Sequence, residues 1–327
     1  MKIVVDAFGG DNAPLEIIKG CADAVKEFNV DIILTGDENI IRTVAKENSI
    51  SLDRITVENC CQVITMDDEA DSVLKTKKDS SMAVGLRLLN EGVGDAFVSE
   101  GNSGALSVGA TLAIIRIKGI KRPAFAPVLP SETGCCMLVD AGANLECRPE
   151  ILYQYALMGS VYMEKVMGIK NPRVGLANVG TEAHKGTELY QNTYELLNNS
   201  ELNFIGNVEG RNIPEGVCDV VVCDGFIGNM ILKTYEGVAL VLMDQIKGIF
   251  SKSVKNKLAA GLVMSDLKAM KQQFDYNYYG GAAILGASKP VFKAHGSSKA
   301  KTLKNAIRLS IDYVNGKAID TISEALR

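Results

Sequence analysis

The sequence predicts an α/β protein with a mostly parallel sheet. Short apolar runs that end in glycine-rich or acidic turns recur along the chain, and stretches of helical periodicity separate them. At 327 residues with 47% hydrophobic content the chain can bury a large core. No repeat, low-complexity tract or Pro/Gly linker divides it, so residues 1–327 read as one domain.

The elements follow in order. IVVDA precedes a helical stretch over Leu15 to Phe28, DIILTG precedes Glu38 to Glu47, and ITVEN precedes Ser81 to Glu91. AFVS precedes Gly104 to Ile117, CCMLVDAG precedes Arg148 to Met167, RVGLANVG precedes Glu188 to Asn198, and LNFIGNV and DVVVCDG follow. Near Gly237 the alternation stops. From Val238 to Phe274 the chain is helix-compatible throughout, which predicts a helical arm over 238–278 before strands resume at Ala282 to Leu285 and Val291 to Ala294. A terminal helix follows, with Leu303, Ala306, Ile307, Ser310 and Tyr313 or Val314 near helical spacing.

Bulk properties exclude several functions. A net charge of −4 with mixed signs gives no basic field for nucleic acid. The eight cysteines contain no C-x-x-C pair and read as reduced core thiols, with no metal site. Met1 opens directly into a strand with no basic and apolar leader, which predicts a cytoplasmic protein. No uninterrupted apolar run approaches about 20 residues, so no membrane span is expected. G-x-S-x-G, the P-loop and G-x-G-x-x-G are all absent, which argues against a serine hydrolase, nucleotide-driven phosphoryl transfer and NAD binding.

Four strand-to-turn segments carry the polar chemistry. In open α/β sheets ligands sit outside the carboxyl ends of strands, where helix starts offer free N–H groups to anions. DAFGGDNAP offers Gly9, Gly10 and Asp11; SEGNSGA offers Asn102, Ser103 and Gly104; CDGFIGN offers Asp224, Gly228 and Asn229; NVGTEAHKG offers His184 and Lys185. The chain has two histidines, and the second, His295, lies in AHGSS. Each turn also has a plain structural reading: glycines packing a helix on the sheet, Asp224 or Asp11 capping a helix, and His184 and Lys185 on a solvated helix start.

These segments, with KKDSSM, RPAFAP, DAGAN, NVEGRNI, YGGAAILG and AHGSS, occur in an order that resembles the phosphate acyltransferase (PlsX, acyl-ACP:phosphate transacylase) family over nearly the whole chain. Phe8 stands where that family usually has Met, and Glu100 where a small residue is usual, adding a negative charge beside the glycine-rich loop. The resemblance implies a three-layer α/β/α fold like isocitrate and isopropylmalate dehydrogenases, a homodimer, and no prosthetic group. It implies transfer of a fatty acyl group from an acyl carrier protein thioester to inorganic phosphate. The acyl phosphate then passes to a membrane glycerol-3-phosphate acyltransferase for phospholipid synthesis. Under it Lys185, Asn229 and His184 are the catalytic candidates; Gly9, Gly10, Asp11, Asn102, Ser103, Gly104, Asp224, Gly228 and His295 are the substrate or phosphate contacts. A short-chain acyl-CoA phosphotransacylase and a non-catalytic carrier-protein or membrane scaffold are the alternatives. The arm carries Lys247, Lys252, Lys255, Lys257, Lys268 and Lys271 against only Asp266 from Gln245 to Gln273, interleaved with apolar residues. That pattern suits an anionic membrane surface or the acidic carrier protein, and hence peripheral membrane association.

Overall fold

The computed structural model describes residues 1–273 and 279–326, without the side chains of 271–273. The strands are β1 (Lys2–Asp6), β2 (Asp31–Gly36), β3 (Ile55–Asn59), β4 (Ala96–Ser99), β5 (Ala124–Ser131), β6 (Gly134–Val139), β7 (Val174–Asn178), β8 (Phe204–Glu209), β9 (Val220–Val222), β10 (Ala282–Leu285) and β11 (Val291–Lys293). The helices are α1 (Leu15–Phe28), α2 (Glu38–Glu47), α3 (Ser81–Asn90), α4 (Ser103–Leu112), α5 (Pro149–Lys165), α6 (Glu188–Asn198), α7 (Gly225–Ser251), α8 (Val254–Leu262), α9 (Met264–Gln273), α10 (Ala300–Asn315) and α11 (Ala318–Ala325).

The strands join in the order β3-β2-β1-β4-β11-β10-β5-β6-β9-β7-β8. Pairing is parallel except where β10 meets β11 and β5, and where β5 meets β6. The expected α/β/α sandwich with a mostly parallel sheet is therefore the observed fold. Its two cores follow from the two-residue period of a strand: Ile3, Val5 and Val98 face a core with α1, α5 and α10, while Val4 and Phe97 face another with α3 and α4.

One strand went unread in the sequence. β5 contains Pro127 and Pro130, which ordinarily demote a central strand. The structure accommodates them because Ala124 to Pro127 pair with β10 while Val128 to Ser131 pair with β6, so each half carries a single ladder. β5 thus passes from one half of the sheet to the other. Helix α4 ends at Leu112 rather than continuing to Ile117, where Ile114 N–H closes on Gly109 O and Ile115 adopts a φ of 61°. Helix α11 was not anticipated either.

Helix α7 begins well before Val238. Asp224 caps it, accepting from Phe226 N–H at 2.9 Å and Ile227 N–H at 3.0 Å. It runs 27 residues, holds an 18-residue window of mean hydropathy 1.3, and buries only Gly225 and Gly228. By length and composition it is long and apolar enough to cross a membrane, which corrects the expectation of no such segment. The strict run of apolar residues had been broken in sequence by Lys233, Glu236 and Asp244, and only helix continuity joins the pieces. Residues 274–278, at the end of the expected arm, lie outside the described residues.

Gly228 decides how closely α7 approaches the sheet. A Cβ built there would stand 1.9 Å from the carbonyl oxygen of Asp140 and 3.0 Å from Cys223 Sγ. Gly228→Ala therefore sets a helix-propensity gain of about 1 kcal/mol against a backbone clash that costs more, of the order of 1–3 kcal/mol or above. Net destabilisation is expected, measured as a lowered denaturant midpoint at unchanged m-value.

Candidate active site

A cavity of about 450 Å³ opens where the two halves of the sheet meet at β5. Its polar side is built from three turns. Asp11 comes from the turn after β1, Glu100 and Ser103 from the turn opening α4, and Lys293 and His295 from the end of β11 and beyond. These come together because β11, late in the chain, inserts beside β4. The turns are tied directly: Asp11 N–H donates to Gly296 O at 2.8 Å, and Asn12 Nδ2 donates to Ser298 O at 2.9 Å. Apolar lining comes from Phe125, Val128 and Leu129 of β5 and from Leu232, Tyr235 and Ala239 of α7, which also brings Lys233 and Glu236.

The first turn of α7 supplies Asn229 to this cavity. Its side chain lies against Gly142, whose φ of 134° favours glycine. Asp224 and Gly228 stand behind it as the cap and the point of close packing. Asp224 also accepts from Tyr190 Oη at 2.7 Å, which couples the start of α7 to α6.

Electrostatics on the polar side are set by burial. Asp6, at the end of β1, is raised above the usual carboxylate range by desolvation, although Ser99 Oγ donates to it at 2.7 Å and Phe8 N–H at 3.2 Å. It therefore joins the ends of β1 and β4. Burial lifts Glu100 to about 8 and depresses Lys293 to about 8. His295 is held below its ordinary value, chiefly by desolvation. Its Nδ1 accepts from Ser297 N–H at 3.3 Å and lies 2.9 Å from Ser297 Oγ, so the neutral ring carries its proton on Nε2.

Of the residues singled out in sequence, Asp11, Ser103, Asn229 and His295 line the cavity. Gly10, with a φ of 90°, packs beneath it between Gly296 O and the Glu100 side chain, and Gly9 packs on Gly101 and Asp6. Asn102 caps α4 through Ala105 N–H at 3.1 Å and donates to Thr65 O at 3.0 Å, while Gly104 faces Ala70. His184 and Lys185 are not in the cavity wall. They lie on the loop after β7, where Asn178 Nδ2 donates to Lys185 O at 3.1 Å, Gln191 Nε2 to His184 O at 2.8 Å and Asn207 Nδ2 to Glu182 O at 2.8 Å. Lys293, Lys233 and Glu236 line the cavity and were not anticipated. Lys293 is the last residue of β11, two residues before His295. Among the described residues no group of three His, Cys, Asp or Glu side chains is gathered for a metal ion. The donors present suit an anion.

The profile of a family described as "Fatty acid synthesis protein" matches residues 1–320. A phosphate acyltransferase from Caldanaerobacter subterraneus subsp. tengcongensis is 48% identical over 327 residues, covering 100% of this chain and 97% of the relative. One from Acetivibrio thermocellus is 47% identical over 325 residues, covering 99% and 96%. Among solved structures, a phosphotransacetylase from Streptococcus pyogenes superposes with a TM-score of 0.64 at 18% identity, covering 98% of this chain and 94% of that one. A putative 4-hydroxythreonine-4-phosphate dehydrogenase from Salmonella typhimurium gives 0.53 at 13% identity, covering 95% and 98%, and shares the fold alone. With near-complete coverage by relatives at this identity, the chain belongs to the phosphate acyltransferase family and is an acyltransferase enzyme.

Proposed function

We propose that the protein transfers a fatty acyl group from an acyl carrier protein thioester to inorganic phosphate, giving acyl phosphate for phospholipid synthesis. The observation that carries this reading is the two-sided cavity: anion-suited turns face an apolar wall that continues along α7. A phosphate dianion fits the polar side, where Ser103 begins α4 and its first-turn N–H groups complement negative charge. His295 Nε2–H is a further donor there. The acyl chain fits the side made by β5 and α7. This favours a long acyl donor over a short-chain acyl-CoA.

In this reading phosphate is the nucleophile and no covalent enzyme intermediate forms. A phosphate oxygen attacks the thioester carbonyl, Asn229 Nδ2 donates to the developing oxyanion, and the carbon–sulfur bond breaks. The proton that phosphate brought ends on the departing sulfur, so acyl phosphate and free thiol leave in balance. We assign His184 to protonating that sulfur and Lys185 to countering phosphate charge. Their loop stands at the carboxyl end of β7, and β7 is the sheet neighbour of β9, from whose end α7 springs. In this reading the departing sulfur is on the side of that loop.

The helical segment over 238–278 is proposed as an arm for partners. Val238, Leu240, Val241, Leu242 and Ile249 of α7 are exposed, as are Leu258 and Leu262 of α8, the last at 87%. Helix α7 is thus not an intramolecular core helix. Apolar area of this extent suits a second copy along α7 and, where lysines flank it on α8 and α9, an anionic bilayer or the acidic carrier protein. A peripheral position suits a labile product handed to a membrane glycerol-3-phosphate acyltransferase.

The reading is tested by mixing the protein with palmitoyl carrier protein and phosphate. Phosphate-dependent release of free thiol together with hydroxylamine-trappable acyl phosphate is expected, and release without phosphate would reject the reading. Asn229→Ala is expected to lower kcat about 10²–10³-fold with a smaller change in KM. Lys185→Ala is expected to lose most turnover at unchanged Tm, and a normal phosphate KM with normal kcat would remove Lys185 from the site. Leu258→Glu with Leu262→Glu is expected to abolish flotation with phosphatidylglycerol vesicles while transacylase activity in solution persists. Sedimentation as a dimer at micromolar concentration is the companion expectation for α7.

A further inference from the structure

Glu100 is a residue of this chain that the reaction as described leaves unused. It is 1% exposed, lies in the wall of the cavity, and neither carboxyl oxygen has a hydrogen-bond partner. A buried carboxyl without a partner is costly, and a structural acid would be tied down as Asp6 and Asp224 are. The adjacent lysine does not tie it: Lys293 Nζ donates to the main-chain oxygen of Glu100 at 3.2 Å and to Ala294 O, not to the carboxyl group. The carboxyl instead rests on Gly10, where an added Cβ would fall 3.1 Å from Oε2, beneath the turn that carries Asp11.

We propose that Glu100 binds the phosphate substrate as an un-ionised acid, its O–H donating to a phosphate oxygen while Lys293 supplies the neighbouring positive charge. The groups around it favour that form. Asp6 from β1, Asp11 from the following turn and Glu16 from α1 all disfavour a second negative charge, and burial outweighs the opposing effect of Lys293. Cys21 of α1 faces it as a neutral thiol, raised by burial and by Glu100 itself. From α7, Lys233 acts on Lys293 and His295, and Glu236 on His295. A carboxylic acid is both donor and acceptor, so it suits an oxyanion that a carboxylate would repel.

The sign follows from the titration. Glu100 is protonated below about 8 and loses its proton above it. Phosphate affinity is therefore full at pH 7 and falls as pH rises past about 8. The proposal rests on phosphate being the acyl acceptor, and its test includes one measurement without acyl donor. Phosphate KM and kcat are measured from pH 7 to 9.5 for the native protein, Glu100→Ala and Glu100→Gln. At pH 7, Glu100→Ala is expected to raise phosphate KM about tenfold to a hundredfold, the loss of one charge-assisted hydrogen bond. Glu100→Gln, which keeps a neutral donor, is expected to recover most of that loss. Between pH 7 and 9.5 the native KM is expected to rise about tenfold more than that of Glu100→Gln; Lys293 titrates in every form and phosphate ionisation is common to all. Parallel profiles, or Gln no better than Ala at pH 7, would overturn the proposal. Phosphate-induced rise in Tm without acyl donor reads binding alone: for the native protein it is expected to shrink from pH 7 to pH 9.5, and a constant or growing rise would equally overturn it. That arm stands even if acyl phosphate is not formed or a variant does not fold.

Discussion

The carboxylate of Asp140 holds the two halves of the molecule in register. It is fully buried at the end of β6, and it accepts from the main-chain N–H groups of Phe125, Gly142, Ala143 and Asn144 at 2.7 to 3.2 Å, with Asn144 Nδ2 at 3.0 Å. Desolvation raises its proton affinity and these donors oppose that rise. One side chain therefore fixes the start of β5, the turn after β6 and, through its own carbonyl against Gly228, the seat of α7. Asn144 completes the knot: its Nδ2 reaches Pro123 O at 2.7 Å and its carbonyl accepts from Gly225 N–H at 2.7 Å. Asn229 depends on this network for its place although it touches none of the carboxylate oxygens itself.

The polar half of the cavity rests on a different principle. Turns from β1, β4 and β11 meet because parallel neighbours end at one level, and the glycines among them let main chain lie on main chain. Backbone bonds from Asp11 N–H to Gly296 O and from Ala294 N–H to Ser99 O join the turns, and the side chains of Asn12, Ser99 and Lys293 add further ties. Charge is then concentrated by dehydration: an acid, a lysine and an imidazole each depart from their solution behaviour.

Local pattern made much of this legible. The strands that end in acid–glycine turns were read from their abrupt change of composition, and the helices from apolar spacing. β5 escaped because its prolines obey a rule for strands with ladders on both sides, and this strand changes partner halfway. The start of α7 was legible in Asp224 as a cap before Gly225, whereas the continuity of the helix from there through Val238 was not. In the site, residue types at strand ends could be named, but not which ends face one another. That depends on β10 and β11 returning to the middle of the sheet, a choice made by long-range pairing that leaves no mark within any short segment. Hence His295 was found by its scarcity, whereas Lys293, two residues earlier at the end of β11, was one lysine among many.

Helix α7 has one further consequence. At about 1.5 Å per residue its 27 residues make a rod roughly 40 Å long, clamped at the first turn by Gly225, Gly228 and the capped Asp224. It stays on the body through Leu232, through Tyr235, whose hydroxyl donates to Pro130 O, and as far as Ala239 in the cavity wall, and beyond that it is largely exposed. Such a rod is a lever whose seated end carries Asn229: whatever surface bears on its free length exerts a torque on the seated part, and a small tilt far from the cavity is delivered there as a change in where Asn229 points.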